Sequence, residues 1–260
     1  MRMQTKWQHY LRLLTFLTFS IILLGLLTCK SYGQTKLRVQ PLTSSVWVHT
    51  SFKLLNDKPF PSNGLIIEGD SSVLIIDTAW DSLQTTQLIH WVDSALHKPI
   101  SGVIASHWHD DRLGGTSGLQ NASIPLYTST LTKNFAWQAG DSVKANTFTS
   151  DTTFYLEAKA IEVSWPGAGH TKDNLVIWLP HEKVLYGGCL VKSQQATNMG
   201  NTKDADLKQW PATISHLLHK YKQARWLIPG HQQWNRAGTP ATDLLQHTLK
   251  LLQQAHQKKN

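Results

Sequence analysis

Ser106-His107-Trp108-His109-Asp110-Asp111-Arg112-Leu113-Gly114-Gly115 follows directly on the apolar run Ile100-Ser101-Gly102-Val103-Ile104-Ala105. A β-rich run that ends in two imidazoles and two carboxylates brings together groups that prefer either water or a metal ion. In an extended or gently turning backbone alternate side chains share a face, so His107, His109 and Asp111 converge while Trp108 and Asp110 point elsewhere. Two imidazoles and a carboxylate suit zinc. Taken alone, the triplet could also be a polar surface loop.

Working outward, three further stretches repeat the arrangement: Pro166-Gly167-Ala168-Gly169-His170-Thr171, Tyr186-Gly187-Gly188-Cys189-Leu190 and Ile228-Pro229-Gly230-His231. Each sets one metal-ligating residue after a β-run and a glycine, where a loop can carry it to a common sheet edge. Six candidates at strand ends, His107, His109, Asp111, His170, Cys189 and His231, weigh against chance.

The rest of the chain supplies the layers. Leu37–Phe52 alternates like a hairpin, with Lys53–Pro61 as an exposed loop; Leu65-Ile66-Ile67 and Val73-Leu74-Ile75-Ile76 read as strands, with Asp77 closing the second. Leu88, Val92 and Leu96 predict a helix over Asp81–His97, capped by Asp81, with a strand at Ile100–Ala105 after it. Further strands are expected at Ile124–Tyr127, Thr153–Leu156, Ile161–Ser164, Leu175–Leu179 and Val184–Tyr186, and helices at Ser129–Gln138, Asp206–Tyr221 and Thr242–His256. Two β-rich halves, each ending in helices, give an α/β fold: two packed mixed sheets with helices on both outer faces, formed by one domain over residues 34–260.

Residues 1–33 differ in character. Arg2, Lys6 and Arg12 precede the apolar stretch Leu13–Leu27, which is short for a membrane span of about 20 residues and reads as a secretory signal peptide. Cleavage after Ser31-Tyr32-Gly33 would release a soluble periplasmic protein starting at Gln34. The alternatives are lipid attachment at Cys29, in a Leu-Leu-Thr-Cys box, or a retained anchor. The formal charge of +8 includes four basic residues of this leader, leaving about +4, and no basic run with interleaved aromatics points to nucleic acid. Of Cys29 and Cys189 only the latter belongs to the folded domain. An intradomain disulfide is therefore excluded, and a free thiol in an oxidising compartment calls for burial or metal ligation.

In their order, His-x-His-x-Asp, PGAGHT, GGCLVK and PGH resemble the metallo-β-lactamases, specifically subclass B1, and the resemblance runs from about Val46 to Leu252. It implies an αβ/βα sandwich with two zinc ions per chain in a groove at one sheet edge: His107, His109 and His170 on the first, Asp111, Cys189 and His231 on the second. Glyoxalase II, lactonases and related nucleases typically carry a histidine after the motif aspartate; Arg112 stands there, and Cys189 argues against those relatives. If Arg112 lies near Cys189 it helps keep the sulfur deprotonated.

The implied reaction is hydrolysis of penicillins, cephalosporins and carbapenems by hydroxide formed from water shared between two dications. By the same resemblance Asn201 and Asp111 are the catalytic residues: Asn201 polarises the carbonyl oxygen and binds substrate, and Lys192 binds the substrate carboxylate. Asp77 would orient the metal loop from beneath, or simply form a strand-end turn. Lys53–Pro61 corresponds to a flap over the groove, which its two prolines would stiffen. Trp80, Trp91 and Trp165 read as packing residues, and His49 and the other histidines outside the motifs as surface or helix residues. A small-molecule substrate, no stable membrane contact after processing and a monomer complete the expectation. Hydrolysis of another ester, thioester or lactone, or a non-catalytic metal- or partner-binding role, are the alternative functions.

Overall fold

Val73-Leu74-Ile75-Ile76 is fully buried at every position, which only an interior strand covered on both faces allows. It is β4 of a seven-stranded sheet in the order β1 (Arg38–Pro41), β2 (Val46–Leu55), β3 (Lys58–Glu68), β4 (Val73–Ile76), β5 (Ile100–Ile104), β6 (Leu126–Ser129), β7 (Asn146–Phe148). The structure, a computed structural model, describes residues 36–149 and 151–257. The expected leader and both of its processing sites lie outside them. A second sheet runs β12 (Trp226–Pro229), β11 (Val184–Gly188), β10 (Val176–Leu179), β9 (Lys159–Ser164), β8 (Thr152–Leu156).

Period-two alternation assigns the layers. Leu65, Ile67, Leu74 and Ile76 meet Ile161, Val163, Ile177 and Val184 between the sheets, whereas Ile66, Ile75 and Val103 turn outward against Leu88 and Val92 of helix α1 (Ser82–Leu96). On the opposite side Trp178, Leu185 and Leu227 pack beneath α5 (Trp210–Lys220) and α6 (Thr242–Gln257). The remaining helices are α2 (Asp110–Leu113), α3 (Thr116–Asn121) and α4 (Thr130–Gln138). This is the sandwich expected from the sequence. Among the described residues no helix is long and apolar enough to cross a membrane.

Four expectations change. Lys53–Pro61 is a hairpin arm: β2 and β3 stay paired through Leu54↔Pro59 and Leu55↔Lys58, and Asn56-Asp57 turn with φ of 51° and 59°. Pro59 and Pro61 are tolerated because this part of β3 pairs only with β2, β4 joining at Leu65–Glu68. The helix expected from Asp206 starts at Trp210, since Asp206 Oδ1 accepts the N–H groups of Lys208 and Gln209 and closes a separate turn (3.1 and 2.9 Å). Asp111 joins the cluster from the helical turn α2 rather than from an extended chain. His49 is buried in β2 at 1 % exposure, its Nε2 against the Ile76 carbonyl at 3.1 Å.

Candidate metal centre

β11 and β12 run parallel, with Gly188 paired to Pro229, so the residues that follow each strand emerge at one edge of the sheet. Gly188 takes φ of 53° to turn the chain there and accepts the Gly230 N–H at 2.7 Å. A side chain at Gly230 would come within 2.5 Å of Arg112 Nη2 and 2.6 Å of Cys189 Sγ, so only glycine lets these chains approach. From the other sheet β5 delivers the loop 106–109. The loop between β9 and β10 supplies His170.

The six candidates meet. The rings of His107, His109 and His170 lie 4.9–5.0 Å apart, centroid to centroid, with His109 Nδ1 3.1 Å from His170 Nε2. Beside them Cys189 Sγ stands 3.3 Å from Asp111 Oδ2 and 3.1 Å from His231 Nε2, and His231 Nε2 lies 3.3 Å from Asp111 Oδ2. Potential ligand atoms of Asp111, Cys189 and His231 fall within 4.8 Å of one another, as do those of His107, His109 and Asp111 and those of His107, His170 and Cys189.

This donor set fits a soft divalent cation such as zinc. His107 Nε2 is buried without a hydrogen-bond partner at the centre of the cluster, which is costly for a polar atom with nothing to bind. Burial holds His107 and His170 well below the ordinary histidine range, in the neutral form that ligates. Burial pushes the Asp111 carboxyl up, but Arg112 at 2.9 Å and the His231 hydrogen bond outweigh it and keep Asp111 well below the carboxylate range. Burial works to lower His231, yet Cys189 and Asp111 push it up to about 9: this corner favours a positive charge beside Cys189 and Asp111.

The surroundings fix the donors. Arg112 is fully buried, donating to Cys189 Sγ (2.8 Å), Asn63 O (2.6 Å), Tyr186 Oη (2.9 Å) and Gly230 O (3.1 Å); the contact with Cys189 is the one the sequence suggested. Asp77, at φ of 63°, accepts from Ser106 N (2.6 Å), Ser106 Oγ (2.9 Å) and Tyr186 Oη (2.6 Å), clamping the start of the histidine loop. Burial pushes Asp77 up to about 6. His231 Nδ1 lies 2.7 Å from Pro61 O; a carbonyl only accepts, so the hydrogen sits on Nδ1 and Nε2 faces the cluster. Phe60 and Trp80 cover that ring at 4.7 and 6.3 Å.

Lys192 lines a cavity of about 220 Å³ together with Phe60, Val191, Asn198, Gly200 and His231. Its Nζ lies 5.3 Å over the Trp210 ring, and burial lowers its pKa. Asn201 is exposed and is not gathered into the cluster: its Oδ1 accepts from Lys203 N at 3.1 Å. Larger hollows of about 760 and 500 Å³ lie against α5 and α6 and beside Trp165, and no donor of the cluster lines them. Sequence reading missed Asn63, Tyr186 and Asp204. Asn63 Nδ2 donates to Pro229 O and Gln232 O (3.0 and 2.7 Å), tying β3 to the His231 loop, and Asp204 Oδ2 lies 3.2 Å from His109 Nε2.

Residues 57–231 match the metallo-beta-lactamase superfamily. A metallo-beta-lactamase type 2 of Bacillus sp. (strain 170) is 36% identical, the match covering 82% of this chain and 81% of that protein. One from Bacteroides fragilis is also 36% identical, over 75% and 76%. Among solved structures, a metallo-beta-lactamase from Pontibacter korlensis superposes with a TM-score of 0.80 at 42% identity, covering 84% of this chain and 99% of the other. FIM-1 from Pseudomonas aeruginosa, solved in a mono-zinc form, gives 0.78 at 33% identity, covering 85% and 97%. With matching sequence, superposable sheets and six ligand-type side chains at one sheet edge, this chain belongs to the metallo-beta-lactamase superfamily.

Proposed function

We propose that this chain is a zinc-dependent β-lactamase of the periplasm that opens the ring of penicillins, cephalosporins and carbapenems, acting as a monomer released by cleavage after Gly33. The observation that carries the reading is the convergence of six donors beside a cavity that Lys192 lines. His107, His109 and His170 would hold one zinc, and Asp111, Cys189 and His231 a second. Bound there, zinc supplies Lewis acidity toward the ring carbonyl and a nucleophilic water at neutral pH.

The chain's own residues do the rest. Arg112 keeps Asp111 ionised and holds both its carboxylate and the Cys189 sulfur in place. Lys192, partly buried beside the cavity, meets the carboxylate that β-lactams carry next to the ring nitrogen, a charge-assisted contact strengthened by exclusion of water. Asn201, with Oδ1 engaged by Lys203, turns its amide donor toward the ring carbonyl oxygen as that oxygen gains charge. Phe60 and Trp80, packed on His231, give the substrate's apolar substituents a wall.

The exported protein, assayed with a penicillin, a cephalosporin, a carbapenem and a thioester, tests this. Loss of β-lactam absorbance that chelator abolishes and zinc restores is expected. Turnover of the thioester with none of the three β-lactams would move the activity to the other acyl bonds. The processed protein should begin at Gln34 by mass spectrometry; a lipid on Cys29 would place it on a membrane.

A further inference from the structure

We infer that Thr248, with its neighbour His247 on α6, is a positioning residue that sets the backbone from which Lys192 reaches the substrate; the inference rests on the substrate reading above. Thr248 is fully buried on α6. Its hydroxyl donates to Leu244 O at 2.7 Å, one turn back, and its lone pairs accept the Lys192 N–H at 2.9 Å, 56 residues away. His247 Nε2 lies 2.9 Å from Ala196 O; a carbonyl only accepts, so the ring hydrogen sits on Nε2 and is donated to the loop. Gln194 Nε2 donates to Asp243 O at 3.0 Å. One helix therefore holds the loop at 192, 194 and 196, and both Lys192 and Ala196 line the cavity beside the metal centre.

The lysine is steered from its other side by α5. Lys192 Nζ lies 5.3 Å over the Trp210 ring, and Trp210 Nε1 donates to Leu190 O at 2.9 Å, so the chain is fixed just before Lys192 as well as at it and after it. A lysine stem is flexible, and where its ammonium can go is set by where its backbone starts. Without the Thr248 hydroxyl the Lys192 N–H loses its acceptor and the root of the side chain is free to shift, which weakens a contact that depends on orientation. Cys189, Asp111 and His231 take their hydrogen bonds from Arg112 and the Pro61 carbonyl, so the hold of α6 acts on Lys192 and not on these donors.

Thr248→Val keeps the shape and removes the hydroxyl; Thr248→Ser keeps the hydroxyl. In the zinc-loaded protein, hydrogen exchange followed by NMR should find the Lys192 amide protected in the wild type and in T248S and unprotected in T248V. T248V should raise KM for a carboxylated β-lactam roughly three- to tenfold, the worth of one neutral hydrogen bond, with little change in kcat, and T248S should stay near the wild type. On a Lys192→Ala background T248V should raise KM no further, because the side chain it positions is gone. His247→Ala, which frees the far end of the loop, should follow the same pattern. The thiolate-to-cobalt absorption from Cys189 should be unchanged in every variant. A T248V protein with wild-type amide protection and wild-type KM overturns the inference, as does T248V raising KM equally with and without Lys192, or T248S falling as far as T248V. If T248V does not fold, the same comparison with H247A decides. If the Lys192 amide is protected through Thr248 yet the wild type opens no β-lactam, the proposed substrate fails and the hold of α6 on the loop stands.

Discussion

Arg112→Met exchanges the buried guanidinium for an uncharged chain of similar length. The arginine lies 2.9 Å from Asp111 Oδ2, 2.8 Å from Cys189 Sγ and 3.4 Å from Asp77 Oδ2, all of them buried. Removing one partner of a buried ion pair costs about 3–5 kcal/mol, because the stranded charge stays out of water. Asp77 contributes little of this, since burial already raises it to about 6 and it can take up a proton; Asp111, held well below its ordinary range, bears most of it. For a domain of this size the loss corresponds to roughly 6–20 °C in Tm. Unfolding by urea and by heat, in chelator and again in saturating zinc, is the assay. The gap between wild type and variant should be widest in chelator, because bound zinc neutralises the same two donors. A loss below about 1 kcal/mol in chelator would refute the reasoning, being no more than the average for any substitution.

Three other outcomes follow from the geometry. Gly230→Ala drives a methyl group against Arg112 Nη2 and Cys189 Sγ; it should lower stability by about 1–3 kcal/mol and weaken zinc at the cysteine site more than at the histidine site, as parallel zinc titrations would show. His49, lowered to about 4 by burial, stays neutral in the fold while the unfolded chain protonates below pH 6.5, so stability is fully present above 6.5 and lost as pH falls toward 4. Its share between pH 7 and 5 is about 2 kcal/mol, so the stability gap between wild type and His49→Gln should narrow by that amount; a constant gap would contradict the assignment. Lys192→Ala should raise KM with little change in kcat, lowering kcat/KM roughly ten- to a hundred-fold for a carboxylated β-lactam at low salt. An equal kcat/KM would remove Lys192 from the substrate site.

The candidate ligand positions were legible from local rules: His170, Cys189 and His231 each follow a β-run and a glycine, and His107, His109 and Asp111 follow directly on the apolar run 100–105. Most strands of both sheets and all the longer helices followed from periodicity, while β7 (Asn146–Phe148), three residues long, did not. What escaped depends on contacts remote in sequence. Nothing near Asn63 announces that it will bridge to residues 229 and 232, and nothing near Asp204 announces His109, 95 positions away. His49 was read among the surface or helix histidines because its cover is the bare backbone at Gly64, where a side chain would meet the imidazole at 2.1 Å. The hairpin arm was read as a loop because its prolines disfavour strand, an objection that lapses where β3 has a single neighbour.

The central claim, that these six donors make two zinc sites which open β-lactams, is tested most directly by adding zinc to metal-free protein while following the absorbance of a carbapenem. The account predicts no ring opening without metal, a rate that rises with added zinc, and a plateau at about two equivalents per chain. Full activity in the metal-free protein, or none at any zinc level, would contradict it.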